Sequence, residues 1–180
     1  MNVQYLKIDG AALINLERHC DGRGYFRRNY CALWMKEHGF SALPLQISES
    51  FNTHQFTLRG MHLQSAPHEE VKLVSCIKGK LFDVIIDLRP LSKSYLQSYW
   101  VELSEFDDLC LYVPKGVAHG FMTLVDNTII EYKIFEGTYS PEHARGISWN
   151  DPVLDKIPWP AAPQVISERD SSYPFLSLCE

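Results

Sequence analysis

The sequence predicts an all-β sandwich or barrel rather than a parallel α/β fold. Short segments rich in β-branched and aromatic residues recur at regular spacing, and turn residues separate them. Helical signal is thin, and its best candidate, residues 32–38, is closed by Gly39. No repeat, low-complexity segment or linker divides the chain, so we expect residues 1–180 to form one domain.

The clearest strands form two predicted hairpins. Residues 73–77 and 80–88 flank one two-residue turn, and residues 119–125 and 128–135 flank the other. Further strand candidates are residues 56–64, 99–103 and 110–113. Five prolines from Asp151 onward predict an irregular strap that crosses the domain.

Composition narrows the class of function. Hydrophobic residues make up 46% and charged residues 22% of the chain, which is typical of a soluble globular protein. The formal net charge of −5 argues against a general nucleic-acid binder. The five cysteines are scattered and form no C-x-x-C pair, which is typical of a reduced compartment. The sequence also contains no signal-peptide pattern and no apolar run long enough to span a membrane. We therefore expect a cytoplasmic protein that does not bind membranes.

The segment 58–64 is the first candidate for chemistry. On a regular strand Leu58, Gly60 and His62 share one face, and a histidine among apolar neighbours is usually structural. A glycine inside a strand often marks a bulge, however. A bulge at Gly60 would turn Arg59 and His62 toward the same cavity.

The segment 114–121 resembles the second motif of cupin barrels, in which the histidine matching His119 commonly binds a metal. The first cupin motif is incomplete, because Gln64 stands where its second histidine should be. Only His62 and His119 are well placed as ligands, and a metal needs three or more. We therefore expect no metal site. The alternative is a metal-dependent cupin that completes the site with a nearby carboxylate or imidazole, for which the loose candidates are His68, Glu69 and Glu70.

Taken together, the motifs resemble the dTDP-4-dehydrorhamnose 3,5-epimerase family. Taken alone, Tyr132 suggests a core tyrosine and Asp170 a solvated turn residue. The ordered set of segments nevertheless resembles the family over nearly the whole chain. The matching segments are 21–26, 58–62, 72–74, 82–84, 87–89, 114–121, 131–133, 149–152, 159–160 and 167–170.

The resemblance implies a cupin-type jelly-roll barrel, a homodimer, and a nucleotide-diphosphate 4-keto-6-deoxy sugar bound without metal or other cofactor. It implies that His62 is the general base, that Asp170 orients it and that Tyr132 is the general acid. Lys72 would lie beside the 4-keto oxygen. The implied substrate-binding residues are Arg23, Phe26, Arg59, His119 and Tyr139. The implied pathway is deoxysugar biosynthesis for surface polysaccharide such as O-antigen.

These roles suit the chemistry. A C–H beside a ketone is acidic because its carbanion delocalises onto oxygen as an enolate. An epimerase therefore needs a base, an acid on the other face and a cation near the oxygen. Neutral histidine is well poised as the base near neutral pH, and a hydrogen-bonded carboxylate fixes its tautomer.

Some positions depart from the family pattern. Arg28 replaces a glutamate, Ile47 and Glu49 align with a Gln-x-Asn pair, and Ala144 replaces a second glutamate. Lost hydrogen-bond partners change ligand selectivity. The hypothesis that follows is an epimerase for a different 4-keto-6-deoxy sugar nucleotide, or for one of the two carbons. A 3,4-ketoisomerase and a non-catalytic sugar-nucleotide-binding barrel are the alternative functions.

Overall fold

The computed structural model describes residues 1–154 and 157–176. Strands dominate, and the two α-helices and one 3-10 turn in these ranges are short. The strands are β1 (Asn2–Tyr5), β2 (Ala12–Asn15), β3 (Arg18–Asp21), β4 (Gly24–Arg27), β5 (Gln46–Asn52), β6 (Thr57–Gln64), β7 (Val71–Lys78), β8 (Lys80–Asp87), β9 (Ser98–Ser104), β10 (Leu109–Val113), β11 (Val117–Thr123), β12 (Thr128–Glu136), β13 (Ala144–Gly146) and β14 (Val165–Ile166). The helices are α1 (Ala32–Glu37) and α2 (Glu168–Ser171), and the 3-10 turn is Pro152–Leu154.

Two antiparallel sheets form the jelly roll. The first has the order β1-β2-β10-β7-β12-β5, and the second has the order β13-β6-β11-β8-β9, with β14 parallel to β6. Apolar side chains of both sheets form a core between them, including Val74 and Leu111 from the first sheet and Ile85 and Phe121 from the second. The predicted all-β jelly-roll class is confirmed.

Both predicted hairpins are wrong in their pairing, although all four strands are present. β7 pairs with β10 and β12, whereas β8 pairs with β9 and β11. β11 and β12 likewise lie in different sheets. Gly79 (φ +80°) and Asn127 (φ +55°) turn the chain from one sheet to the other. A two-residue turn in the sequence does not distinguish such a corner from a hairpin.

The helix prediction is confirmed, and α1 ends just before Gly39, whose φ of +77° suits a helix C-terminus. The strands β1 to β5 were not predicted. β5 shows why: most of its side chains are exposed, so it lacks the alternation of apolar and polar residues that identifies a half-buried strand.

The predicted C-terminal strap crosses the outer face of the second sheet. Its apolar residues Ile157 and Trp159 pack against Phe82 and Ile86 of β8. In its described residues, 151–154 and 157–176, the strap is irregular apart from the 3-10 turn, β14 and α2. By running along β6 it brings α2 next to His62.

The four cysteines within the described ranges are free thiols, and Cys76 and Cys110 are buried. Burial raises the pKa of the Cys76 thiol to about 12. Cys179 lies outside the described residues. None of the helices in residues 1–154 and 157–176 has the length and apolar character needed to cross a bilayer.

Candidate active site

A cavity of about 430 Å³ lies between the two sheets. Its first wall is the inner face of β7, β12 and β5, where side chains stand in cross-strand rows. Ile134 lies between Lys72 and Gln46 in one row. In the next row Tyr132 lies beside Ser48. Lys72 and Tyr132 are therefore neighbours on the same wall.

The opposite wall is formed by β6 and β11, where His62 lies opposite His119. Two steps along β11, from His119 to Phe121, correspond to three steps along β6, from His62 to Arg59. The extra residue forms a bulge at Gly60, whose φ is +128°. Because of this bulge Arg59 and His62 both line the cavity, as the sequence predicted.

The bulge brings two glycines into close contact. A Cβ on Gly60 would lie 2.5 Å from the Cα of Gly120, and a Cβ on Gly120 would lie 2.6 Å from the Sδ of Met61. Neither position has room for a side chain. The approach of β6 to β11 beside His62 therefore depends on both glycines.

His62 is hydrogen-bonded to Asp170. Its Nε2 lies 2.7 Å from Oδ1 of Asp170, and the N–H of Gly60 donates to Oδ2 at 3.1 Å. Burial raises the pKa of Asp170, but the hydrogen bonds from His62 and Gly60 outweigh it and hold the pKa below its ordinary value. An ionised Asp170 only accepts, so His62 donates from Nε2 and keeps the lone pair on Nδ1.

Asp170 reaches this position because Ser167 caps the N-terminus of α2, and its hydroxyl accepts the N–H of Asp170 at 3.0 Å. Its residue exposure is only 4%. The expectation of a solvated turn residue, drawn from the local sequence alone, is therefore wrong. Local sequence does not show that the strap returns to β6.

His119 has a carboxylate partner as well. Its Nε2 lies 2.5 Å from Oδ1 of Asp83, which is fully buried. The other oxygen of Asp83 has no hydrogen-bond partner among the described residues. Asp83 was not singled out from the sequence, although an aspartate within the apolar run 81–86 was a usable signal.

The Tyr132 hydroxyl is held in its protonated form. Burial raises the pKa of this phenol well above its ordinary value, and the negative charge of Asp83 raises it further, whereas Arg59 lowers it. The Tyr132 ring packs edge-on to His119 with 6.0 Å between the ring centroids. Tyr132 therefore presents a protonated hydroxyl on the wall opposite His62.

Lys72 is paired with Glu70, whose carboxylate lies 3.2 Å from Nζ. The side chains are 13% and 9% exposed, respectively. From the sequence, Glu70 was only a loose metal-ligand candidate. Within residues 1–154 and 157–176, no group of three or more His, Cys, Asp or Glu side chains is arranged to hold a metal ion.

Arginines and a tyrosine line the remaining part of the cavity. Arg59 donates from Nε to the Asn52 side chain at 2.8 Å. Arg169 and Tyr139 also line the cavity, and a hydrogen bond to Tyr139 raises the pKa of the Arg169 guanidinium. This concentration of guanidinium groups suits a phosphorylated ligand. Arg59 and Tyr139 were predicted from the sequence, whereas Arg169 was missed.

The remaining predicted binding residues, Arg23 and Phe26, lie outside this cavity. They belong to the β3–β4 hairpin, and they are 91% (side chain) and 66% exposed, respectively. Arg23 donates to the carboxylate of Asp21 at 2.6 Å. Arg28, one of the departures from the family pattern, lies beside Phe26 in a separate crevice.

The structure corrects the predicted match between the family's Gln-x-Asn pair and residues 47–49. Gln46 and Ser48 face the cavity, whereas Ile47 and Glu49 do not line it. A shift of one residue moves every side chain of a strand to its other face, and the alignment of the Gln-x-Asn pair with residues 47–49 made that error. The cavity keeps one amide at position 46. Ala144 lines the cavity as expected.

Comparisons with known proteins place these features in context. The sequence model of the family described as dTDP-4-dehydrorhamnose 3,5-epimerase matches residues 5–177. A Sinorhizobium fredii protein of that name is 41% identical over 181 residues, covering 100% of this chain and 91% of the relative. A Methanothermobacter thermautotrophicus protein of the same name is 37% identical, covering 92% and 89%.

Solved structures show the same similarity. The Bacillus anthracis dTDP-4-dehydrorhamnose 3,5-epimerase, with TDP and PPi bound, superposes with a TM-score of 0.93 at 36% identity, covering 97% of this chain and 99% of that chain. A Legionella pneumophila dTDP-6-deoxy-D-glucose-3,5-epimerase in complex with dTDP-4-keto-L-rhamnose has a TM-score of 0.89 at 32% identity, covering 97% and 92%.

Proposed function

The chain belongs to the dTDP-4-dehydrorhamnose 3,5-epimerase family, and we propose that it inverts C3 and C5 of a dTDP-linked 4-keto-6-deoxyhexose. The observation that carries this proposal is the placement of His62, paired with Asp170, on one wall of the cavity and Tyr132 on the other. A base and an acid on opposite sides of one sugar ring are what inversion of a carbon centre requires.

His62 removes the proton. Its Nδ1 has the free lone pair, and the carboxylate of Asp170 stabilises the imidazolium that forms. The carbon that loses the proton lies next to the ketone, so its electron pair moves into an enolate. A positioned base of this kind contributes about 10²–10⁴-fold to the rate.

Tyr132 returns a proton from the other face. Its raised pKa keeps the hydroxyl protonated until the carbanion carbon accepts the proton. Because the new C–H bond forms on the face opposite the broken one, the configuration inverts. Lys72 on the same wall stabilises the enolate oxygen, since a fixed cation in a site with little water acts strongly on developing charge.

The diphosphate is held by side chains that donate hydrogen bonds. The donors are the guanidinium groups of Arg59 and Arg169, and His119 lines the same cavity from β11. Guanidinium groups bind phosphate through parallel N–H donors. Two of the structural relatives contain TDP with PPi and dTDP-4-keto-L-rhamnose, which supports the same ligand class for this chain. No metal or other cofactor takes part in the proposed reaction.

A homodimer completes the site in this proposal. Arg23 and Phe26 are exposed and do not line the cavity of their own subunit. The edge strand β5 exposes Ile47 and Phe51, and Leu45 before it is also exposed, which leaves apolar surface for a second copy to cover. Arg23 and Phe26 of one subunit would then reach the ligand of the other. We place the reaction in cytoplasmic deoxysugar synthesis for surface polysaccharide.

The test is proton NMR of dTDP-4-keto-6-deoxyglucose with the protein in D₂O. Deuterium at both C3 and C5, with inversion of both, is the expected result. Exchange at one carbon alone would support the hypothesis of a single-centre epimerase, and a moved carbonyl would indicate a 3,4-ketoisomerase. Binding without any exchange, with this and other nucleotide bases, would show a non-catalytic barrel and overturn the proposal.

A further inference from the structure

Glu70 is the one acidic side chain among the described residues that line the cavity. The other chargeable groups there are imidazoles, phenols or cations. The cations are Arg59, Lys72, Arg145 and Arg169. A carboxylate that faces the site of an anionic ligand repels that ligand unless another group neutralises it. A carboxylate at this position is therefore expected to have a neutralising partner.

Lys72 supplies the neutralising charge. Its Nζ lies 3.2 Å from the Glu70 carboxylate, and both side chains are largely buried. Glu70 precedes β7 by one residue, and Lys72 is the second residue of that strand. Removing either partner would leave a charge without its counterion in a wall with little water, which is unfavourable.

The pair has packed surroundings. Leu63 and Val117, together with the backbone at Gly116, line a crevice that both Glu70 and Lys72 also line. A lysine side chain is flexible and its ammonium is a compact point charge, so its direction depends on its partners. Here Nζ of Lys72 lies beside the Glu70 carboxylate, and Lys72 belongs to the wall that also carries Tyr132.

We infer that Glu70 is a positioning residue that holds the ammonium of Lys72 where the enolate oxygen of the substrate forms. The inference rests on the proposed function. A donor fixed in advance stabilises developing charge without reorganising during the reaction. Glu70 acts through Lys72 and does not itself contact the reacting atoms.

The alternative role for Glu70 is a direct hydrogen bond to a sugar hydroxyl. The two roles make different predictions. A positioning residue affects kcat more than KM, and its effect on kcat disappears when Lys72 is absent. A direct contact with the substrate persists without Lys72 and changes KM.

The experiment is steady-state kinetics on dTDP-4-keto-6-deoxyglucose with Glu70→Gln, Glu70→Ala, Lys72→Met and the double variant Glu70→Gln/Lys72→Met. We expect Glu70→Ala to lower kcat by about tenfold or more, with KM changed by less than about threefold. Glu70→Gln should lose less, because its amide oxygen still accepts from Nζ. In the Lys72→Met background Glu70→Gln should cause no further loss of kcat, and it should lower KM, because it removes the carboxylate that Lys72 no longer neutralises.

Glu69→Gln is the matched control, because Glu69 is adjacent to Glu70 in the sequence but does not line the cavity. This variant should turn over like the wild type. Equal losses for Glu70→Gln with and without Lys72, or a loss confined to KM, would overturn the inference. Wild-type kcat in Glu70→Ala, with thermal unfolding showing a folded protein, would also overturn it. Failure of the wild type to turn over would instead refute the proposed function.

Discussion

Nε2 of His62 and Oδ1 of Asp170 are 2.7 Å apart, although the two residues are separated by 108 positions in the sequence. The contact depends on the strap, which runs parallel to β6 at β14 and then starts α2. The Gly60 bulge supplies the second hydrogen bond to the carboxylate, so the same irregularity turns His62 inward and fixes its partner. The hydrogen bond to Asp170 fixes the tautomer of His62, so that Nδ1 is the imidazole nitrogen without a proton.

Asp170→Asn should therefore damage catalysis through the tautomer of His62. The new amide can donate to Nε2, which moves the imidazole proton to Nδ1 and removes the lone pair that the proposed proton abstraction uses. We expect kcat to fall by about 10²–10⁴-fold, comparable to His62→Ala, while the affinity for dTDP changes little. Isothermal titration with dTDP and the D₂O exchange assay check the two parts. Fast exchange in Asp170→Asn would contradict the assigned role.

Tyr132→Phe separates the two proton transfers. The phenyl ring keeps the packing against His119 but cannot donate a proton. We expect His62 still to remove the proton and return a deuteron to the same face, so that deuterium enters without inversion. NMR of the recovered sugar distinguishes this result from normal turnover. Inversion of both carbons at the wild-type rate would show that another group is the acid.

The sequence identified most of these residues only through the ordered set of motifs. Tyr132 and Asp170 were unremarkable in their local sequence, because burial of Asp170 depends on a strap whose path the local pattern does not encode. The bulge at Gly60 was predictable, because a glycine inside a strand often marks a bulge or a close approach of two backbones.

Pairing between strands was the least predictable feature. Turns of two residues suggested hairpins at Gly79 and Asn127, but each turn joins the two facing sheets. The second error was the match of the Gln-x-Asn pair to residues 47–49. Successive side chains of β5 point to opposite faces, so Gln46 faces the cavity and Ile47 faces outward. A misalignment by one residue therefore selected side chains on the wrong face. Both errors concern register and pairing, which depend on contacts distant in sequence.

Gly60→Ala should destabilise the protein. The φ of +128° is unfavourable for alanine, and the added Cβ would lie 2.5 Å from the backbone of Gly120. We expect the free energy of unfolding to fall by about 3 kcal/mol or more, measured by urea denaturation. Gly22→Ala is the matched control, because its Cβ would meet no atom within 4 Å. Equal stability of the two variants would mean that the bulge is not required.

Chelation tests the metal-dependent alternative directly. Nε2 of both His62 and His119 is engaged by a carboxylate, and the proposed proton transfers use only protein side chains. We expect epimerase activity after treatment with EDTA and gel filtration to equal the untreated activity. Metal analysis of the same samples is the control. Loss of turnover on removal of a stoichiometric metal, restored by adding it back, would require a different mechanism.

Asp87 links stability to pH at a position away from the cavity. Its buried carboxylate accepts hydrogen bonds from Arg89, Ser92 and Ser94. Burial raises the pKa of Asp87, but these hydrogen bonds outweigh it and hold the pKa far below its ordinary value. A carboxyl whose pKa is lower in the folded state contributes stability above its unfolded pKa, about 3.9, and loses it as pH falls toward the folded value.

Asp87→Asn should therefore lower Tm most at neutral pH. Breaking a buried charged network costs about 3–5 kcal/mol, which corresponds to about 10 °C for a chain of this size. The difference in Tm from the wild type should be constant between pH 7 and 5 and should shrink below about pH 4. Glu37→Gln, at an exposed position of α1, is the control and should match the wild type throughout. A difference that persisted unchanged to pH 2 would show that the lost stability comes from packing rather than from the ionised carboxylate.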